Sequence, residues 1–244
     1  MRVAGTLLGV AVVSRSMSVV RMKPVRVVVC VLLAAVCSSV WNSAARAATA
    51  TSTKPPPKPA TCAAGGPCKV GDRGPGGGTV FYVHPGGGTF SCGPTLTESC
   101  RYLEVAPKDH PSDAAWCSDF STLLGAAGTA IGAGMANTAT AVSACATGAI
   151  QIADAFVNNG RADWYLPSKD ELNELCKFAQ RRRTGNTAVV CDGTRRLRAG
   201  FAYDFYWSST EDIETGAWAH GLPNGVRGSY AKSASDKVRP IRSF

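Results

Sequence analysis

Polar and apolar residues follow the spacing of an amphipathic helix in one segment of the chain. The helix is predicted to begin after Ser168, because the Ser168 hydroxyl and the Glu171 carboxylate three residues later can form a capping box. The apolar positions then fall on one helix face, at Leu172, Leu175, Cys176 and Ala179. Asp170, Glu171 and Glu174 lie near the positive amino end of this helix, where carboxylates are stabilising, so the pattern gives these acids a structural role.

Short runs rich in aromatic and β-branched residues, bounded by glycine, proline or asparagine, predict strands on both sides of the helix. The predicted strands are residues 79–83, 102–106, 201–209, 216–222, 225–232 and 238–244. Pro223-Asn224-Gly225 predicts a hairpin, because Asn-Gly tolerates the positive φ of a tight turn. Residues 125–160 are rich in Ala, Gly and Thr and have helical spacing towards their end, so we expect one further helix there. Strands at both ends with two helices between them predict an α+β domain.

The amino-terminal residues have the pattern of an export signal. A basic stretch begins at Met22, an apolar run covers residues 27–41, and residues 45–47, Ala-Arg-Ala, have the small-x-small pattern of a signal-peptidase site. We therefore expect residues 1–47 to be a cleaved signal peptide, with Met22 as an alternative start, and the mature protein to be secreted or displayed on the cell surface. The apolar run is shorter than the ~20 residues that span a bilayer, so we expect no stable membrane span after processing.

The rest of the chain divides by composition into a spacer and one globular domain. Residues 48–61 are rich in Thr, Pro and Lys, which predicts an extended linker that cannot contribute to a core. Residues 62–244 are long enough for a single domain with its own core. The full chain has a formal net charge of +9, but six basic residues and no acids lie in residues 1–47, so the mature protein carries +3. This modest charge does not indicate a nucleic-acid binder.

Eight of the ten cysteines follow the signal peptide, and an even number in an exported chain predicts disulfide bonds. Eight cysteines allow ~105 different pairings. The pairing that we favour joins neighbours in sequence: Cys62 with Cys68, Cys92 with Cys100, Cys117 with Cys145, and Cys176 with Cys191. The alternative, a zinc site, has no Cys-x-x-Cys pair or adjacent histidine to support it. We expect neither a metal site nor a cofactor.

Basic residues are concentrated after the predicted helix. Six arginines lie within residues 181–198, namely Arg181, Arg182, Arg183, Arg195, Arg196 and Arg198. Asp192 is the one acid in this segment, which therefore carries +5, while the rest of the mature chain sums to −2. The planar guanidinium makes paired, charge-assisted hydrogen bonds to sulfate and phosphate, so the six arginines are candidate ligands of a polyanion. The alternative is a solvated loop whose arginines are favourably placed near the carboxyl end of a helix.

Motifs typical of enzymes and of calcium-dependent lectins do not occur in the sequence. His84, His110 and His220 are scattered, and neither a Gly-x-Ser-x-Gly elbow nor a His-Glu-x-x-His motif is found, so we expect no catalytic site. Calcium needs several oxygen ligands held together, and the acids at positions 211, 212 and 214 are only a weak candidate.

Two further features have both a structural and a functional interpretation. The glycine run at residues 71–78 lacks the Lys-Ser/Thr of a phosphate-binding loop, and we interpret it as a turn that leads into a strand. Four aromatic residues could form a sugar-stacking platform, but their positions along predicted strands favour the core. They are Tyr206, Trp207, Trp218 and Tyr230.

Five segments, taken in order, resemble the Lcl C-terminal domain family, a bacterial extracellular family. They are residues 74–83, 102–107, 164–175, 206–211 and 238–244. The resemblance implies a single α+β domain with a fold similar to C-type lectins and formylglycine-generating enzymes, here with short strands, two helices and disulfide bonds. An oxidase of the second kind would need a reactive cysteine pair in the carboxy-terminal core, and the last cysteine, Cys191, precedes that core.

The resemblance also implies a function. The family is named for a collagen-like adhesin whose terminal domain binds sulfated glycosaminoglycans, so we expect a non-catalytic binding module that recognises sulfated or other anionic glycans. The alternative is a structural or protein-interaction module of the cell envelope with no glycan ligand. The expected partner is accordingly an extracellular anionic polysaccharide or a surface protein, and not a nucleic acid.

Overall fold

The computed structural model describes residues 61–244 of the chain. The expected signal peptide, and all of the expected linker except Thr61, lie outside the described residues. Three antiparallel sheets and three α-helices make up the described part, which confirms the predicted α+β class. Within these residues, none of the helices has the length and apolar character needed to cross a membrane.

The first sheet joins the two ends of the domain. It consists of β1 (Thr79–Val83), β4 (Tyr102–Val105) and β8 (Ile241–Ser243), with β4 in the centre. Both outer strands run antiparallel to β4. Two short strands between β1 and β4, β2 (Phe90–Cys92) and β3 (Glu98–Cys100), form a separate hairpin that is not among the predicted strands.

The second sheet is a series of consecutive hairpins. Its strands are β5 (Phe205–Ile213), β6 (Gly216–Gly221) and β7 (Arg227–Ala231). The predicted Asn-Gly turn joins β6 to β7, and Gly225 has the expected positive φ of 72°. β5 begins later than predicted, because the amide of Ala202 donates to a tyrosine hydroxyl, at 2.7 Å, instead of to a strand carbonyl.

The helix predicted after Ser168 is present as α3 (Lys169–Ala179). Its capping box is complete: the Ser168 hydroxyl accepts from the Glu171 amide at 3.3 Å, and the Glu171 carboxylate accepts from the Ser168 amide at 2.7 Å. The Glu171 carboxylate also accepts from the Gly132 amide at 2.8 Å, so the cap connects α3 to a distant loop.

The prediction of one helix within residues 125–160, and hence of two in the domain, is wrong. Two helices form there, α1 (Ala133–Ala141) and α2 (Ala149–Asp154). Gly148 separates them with a φ of 116°, a conformation that side-chain-bearing residues rarely adopt. The backbone of Cys117 packs so closely against Gly148 that a Cβ there would lie 2.8 Å from the Cys117 Cα.

Two large groups of buried side chains form most of the core, and a small third group contains Cys62, Cys68 and Val80. The first lies between α3 and the first sheet and includes Phe81, Leu103, Tyr165, Leu175 and Ile241. The second lies between α1, α2 and the second sheet and includes Trp116, Ile150, Leu166, Trp207 and Val238. The first group draws mainly on strands and a helix, whereas Trp116, Leu166 and Val238 of the second group lie in segments between elements.

The eight cysteines form four disulfide bonds, each between neighbours in sequence as the favoured pairing has it. The bonds join Cys62 to Cys68, Cys92 to Cys100, Cys117 to Cys145, and Cys176 to Cys191. Each closes a local loop, and the last closes the segment that contains the first three arginines. Disulfides of this kind stabilise mainly by restricting the unfolded chain.

The glycine-rich turn before β1 wraps around the carboxylate of Glu104. The amides of Gly76 and Gly78 donate to its two oxygens at 2.8 and 3.2 Å. A Cβ at Gly74 or Gly76 would overlap the same carboxylate, which explains why the turn needs glycine there. These amides bind an anion of the protein itself, in agreement with the interpretation of the run as a turn.

Candidate functional site

The six candidate arginines lie in residues 181–198, which we call the arginine loop. The loop follows α3 and is held by polar side chains along one side of that helix. Four of them are buried: Asn173, Glu174, Lys177 and Gln180. The Asn173 side chain donates to the Val189 carbonyl at 3.0 Å and accepts from the Cys191 amide at 2.8 Å.

Glu174 and Lys177 hold the middle of the arginine loop. The Lys177 ammonium donates to the Glu174 carboxylate at 2.6 Å and to the Asn186 carbonyl at 2.7 Å. The Glu174 carboxylate also accepts from the Gly185 amide at 2.7 Å. Glu174 thus fixes the backbone of the arginine loop. The sequence pattern predicted a structural role for it at the amino end of the helix, but did not predict this contact.

The far end of the arginine loop is fixed by Gln180 and by the Cys176–Cys191 disulfide. The Gln180 amide donates to the Gly193 carbonyl at 3.1 Å and to the Leu222 carbonyl at 2.7 Å. The turn at Gly225 packs against the loop so closely that a Cβ there would overlap the Cys191 carbonyl. The backbone of the arginine loop is therefore anchored along most of its length.

The six arginines are not equivalent. Arg181, Arg183, Arg195 and Arg196 are exposed to solvent, whereas Arg182 and Arg198 are half-buried. The Arg182 guanidinium forms an ion pair with Asp192 and donates to the Asp192 carbonyl at 2.8 Å. This ion pair, together with the charge of nearby Arg195, lowers the pKa of the Asp192 carboxyl.

Arg198 is part of the fold rather than a free cation. Its Nε donates to the Phe178 carbonyl at 2.7 Å, and its guanidinium carbon lies 4.3 Å from the centre of the Phe178 ring. Partial burial and the like charge of Arg181 lower the pKa of Arg198. This contact is what the alternative interpretation expects of an arginine near the carboxyl end of a helix.

A cavity of about 730 Å³ lies beside the arginine loop. One wall is the turn after β1, from His84 to Gly87, and the other is the loop segment 182–186. Arg101, between β3 and β4, lines the same cavity as Arg182 and Arg183. Sequence reasoning missed Arg101, because it is isolated in the sequence and only the fold brings it to the arginine loop.

The potential metal ligands that lie closest together are buried in the interior. Within residues 61–244, Cys176, Cys191 and His220 form the one cluster of three such ligands. The two sulfurs are bonded to each other, so neither is a thiolate that could bind zinc. Burial lowers the pKa of His220 to about 4, and its Nε2 lies 3.1 Å from the Gly225 carbonyl. A neutral histidine packed against a disulfide is a structural arrangement.

The acids weighed as a calcium candidate do not converge. Glu211 is buried and pairs with Lys232 at 2.7 Å, while Asp212 and Glu214 are exposed. The amides of Leu124 and Ala126 also donate to the Glu211 carboxylate, each at 2.9 Å. Glu211 is therefore fully engaged in holding an irregular segment onto β5.

The four aromatic residues fall into two groups. Tyr206 and Trp207 are fully buried, as expected. Trp218 and Tyr230 are half-buried, and Tyr230 packs against the second core group. The Lys169 ammonium lies 3.1 Å from the centre of the Trp218 ring. Because the chain's own lysine covers this ring, an open stacking platform for a sugar is not formed there.

Comparison with known protein families identifies a match. The family model of the Lcl C-terminal domain matches residues 106–242. A search among curated proteins found none that matches. The matched range contains α3, the arginine loop and the second sheet, whereas β1 to β4 and Arg101 precede it.

Proposed function

Because this chain belongs to the Lcl C-terminal domain family, we propose that it is a non-catalytic binding module that recognises sulfated or other anionic glycans through the arginine loop. We place it outside the cytoplasm, either secreted or on the cell surface. Four disulfide bonds support this location, since such bonds persist in oxidising compartments.

The observation that carries the proposal is the anchoring of the arginine loop. Arg181, Arg183, Arg195 and Arg196 extend from a backbone that α3 and a disulfide already fix. Binding an anion then costs less conformational entropy than it would on a free loop. Exposed guanidinium groups on a fixed backbone favour recognition of a sulfated chain over a merely solvated surface.

Two finer points belong to the same proposal. A C-type-lectin-like fold is supported by the family membership and by the first sheet, in which strands from both ends of the domain flank β4. The absence of catalysis is supported by the sequence, which contains neither a Gly-x-Ser-x-Gly elbow nor a His-Glu-x-x-His motif.

A second candidate function is a structural or protein-interaction module with no glycan ligand. The contacts of Arg182 with Asp192 and of Arg198 with Phe178 favour it, because they commit two of the six arginines to the protein itself. The two candidates differ in what the four exposed arginines do. In the second they are a solvated surface, and their removal changes no binding.

Glycan-array binding of the disulfide-bonded mature protein tests the proposal. We expect binding to sulfated glycans that weakens steeply with salt, because charge pairs at a surface are screened over ~8–10 Å at physiological ionic strength. The test variant replaces the four exposed arginines of the loop with serine. A matched control variant replaces four exposed basic residues elsewhere with serine: Lys69, Lys108, Arg161 and Arg227.

Both variants lose the same charge, so the comparison separates a site from general attraction. We expect the loop variant to lose retention on heparin and the control variant to keep most of it. An equal loss in both would show that only net charge matters. Failure of the wild-type protein to bind any glycan would favour the second candidate.

A further inference from the structure

The cavity between the arginine loop and the turn after β1 has the dimensions of a ligand site. Its volume of about 730 Å³ falls within the ~300–1,000 Å³ typical of small-molecule sites. Val83, Pro85 and Val189 supply apolar surface, while Thr184 and Asn186 supply polar groups. A sugar unit presents both kinds of surface, so the lining suits one.

The charge of the cavity is positive and only partly neutralised. Its lining contains four cations, Arg101, Lys177, Arg182 and Arg183, and neither Asp nor Glu. Lys177 is paired with Glu174, and Arg182 with Asp192. Among residues 61–244, Arg101 and Arg183 form no ion pair. Within these residues, two guanidinium groups on the lining therefore have no anionic partner.

The wall that carries Arg101 is rigid. The Arg101 amide donates to the Phe244 carbonyl at 2.9 Å, and the Arg101 carbonyl accepts from the His84 amide at 2.9 Å. The preceding residue, Cys100, is bonded to Cys92. The first sheet and a disulfide thus fix the backbone from which the Arg101 guanidinium reaches the cavity.

The opposite wall is also held by a hydrogen bond, and the two walls approach each other closely. The Gly185 amide donates to the buried Glu174 carboxylate at 2.7 Å. A Cβ at Gly185 would lie 3.7 Å from Pro85. On the other wall, a Cβ at Gly87 would lie 3.1 Å from the Arg101 guanidinium, so glycine leaves room for this group beside the turn.

We propose that this cavity binds one sulfated sugar unit, with Arg101 and Arg183 as the ligands of its sulfate group. The proposal rests on the proposed function and deepens it: the cavity selects a discrete sulfated unit, whereas Arg181, Arg195 and Arg196 attract the rest of the chain. Guanidinium groups suit this role because their planar fork makes paired hydrogen bonds to an oxyanion. Arg101 and the turn from His84 to Gly87 precede the range that matches the family model, so the match itself does not include this wall.

Titration calorimetry at fixed ionic strength tests the proposal, with a sulfated heparin disaccharide and its unsulfated counterpart as probes. We expect the sulfated probe alone to bind, and Arg101→Ser or Arg183→Ser to weaken it about tenfold, the size of a lost charge-assisted hydrogen bond. Arg161→Ser is the matched control, since Arg161 is exposed and lies neither on the arginine loop nor on the cavity lining. Thermal unfolding of each variant checks that the fold is retained.

The outcomes separate this proposal from the proposed function. Heparin retention without binding of the disaccharide would contradict the proposed role of the cavity, and so would equal affinity of the Arg101→Ser and wild-type proteins. Either result would leave the proposed role of the arginine loop intact. Failure of both heparin and disaccharide to bind would overturn both proposals. Glucose 6-phosphate and inorganic sulfate serve as competitors. Stronger competition by either one than by the sulfated disaccharide would overturn the assignment to a sulfated sugar.

Discussion

The ammonium of Lys177 and the carboxylate of Glu174 form an ion pair of 2.6 Å that is closed to solvent. The two groups lie on adjacent turns of one helix, and each also binds the backbone of the arginine loop. A buried pair of this kind contributes little when intact, but removal of one partner leaves an uncompensated charge in the interior. The order of the candidate site therefore depends on a buried ion pair of α3 as well as on the exposed arginines.

Replacement of Glu174 tests this dependence. We expect Glu174→Gln to lower the free energy of unfolding by about 3–5 kcal/mol, because Lys177 would be buried without its partner. Native trypsin digestion should also cut sooner within residues 181–198. Asp170→Asn is the control on the same helix, since Asp170 is half-buried and its carboxylate forms no ion pair with Lys177. Equal unfolding and digestion of wild type and Glu174→Gln would contradict the anchoring role.

The pH dependence of stability depends on His220. Burial lowers its pKa to about 4, below the ~6.5 of an unfolded chain. Between these values the unfolded state takes up a proton that the native state does not, so stability falls as pH falls from about 6.5 to about 4. We expect His220→Gln to remove this loss, which amounts to up to ~3 kcal/mol. The measurement is urea unfolding of both proteins across this pH range.

The effect of His220 must be taken from the difference in unfolding free energy between the two proteins. The reason is that Glu171 changes the stability with pH in the opposite direction. Burial raises the pKa of Glu171 to about 7 from its usual 4.5. Its contribution is fully present below pH 4.5 and is lost as pH rises towards 7. Subtraction of the His220→Gln curve from the wild-type curve cancels this effect. A flat difference curve would show that His220 titrates normally in the folded protein.

Arg198 and Arg196 are separated by one residue but should respond differently to replacement. Arg198→Ser removes a charged hydrogen bond to the Phe178 carbonyl, and we expect it to cost about 1–3 kcal/mol of stability. Arg196→Ser changes an exposed side chain and should stay within ~0.5 kcal/mol. Thermal and urea unfolding compare the two. Similar stabilities would indicate that the Arg198 contacts contribute nothing to the fold.

The two tryptophans of the second sheet should also differ. Trp207 is fully buried and its indole donates to the Ala114 carbonyl at 2.8 Å, so Trp207→Ala should cost about 3–5 kcal/mol. Trp218 is half-buried under Lys169, and Trp218→Ala should cost no more than ~2 kcal/mol, mainly its cation–π contact. Chemical unfolding measures both. A larger loss of stability in Trp218→Ala would indicate that the Trp218 ring belongs to the core.

Features that depend on neighbouring residues could be read from the sequence. The capping box at Ser168 and Glu171, strand β1 and three of the four disulfide bonds each depend on residues close together in the chain. Cys117 and Cys145 are 28 residues apart, but they too are consecutive cysteines. The separation of α1 from α2 could not be predicted from the sequence, because it depends on the close approach of Cys117 to Gly148. Arg101 was missed for the same reason: its place beside the arginine loop follows from how β1 and β4 pair.

The first sheet has a consequence for the order in which the domain can form. Arg242 donates to Glu104 at 2.9 Å from a position 138 residues later, and β8 covers one edge of β4 beside it. Synthesis is vectorial, so β4 is made with one edge unpaired and its carboxylate without this cation. A nascent chain therefore exposes an open strand edge, a known route to wrong pairing, until residues 241–243 arrive. Premature termination a few codons early would remove the strand that completes the sheet, although nearly all of the arginine loop's anchors would already be present.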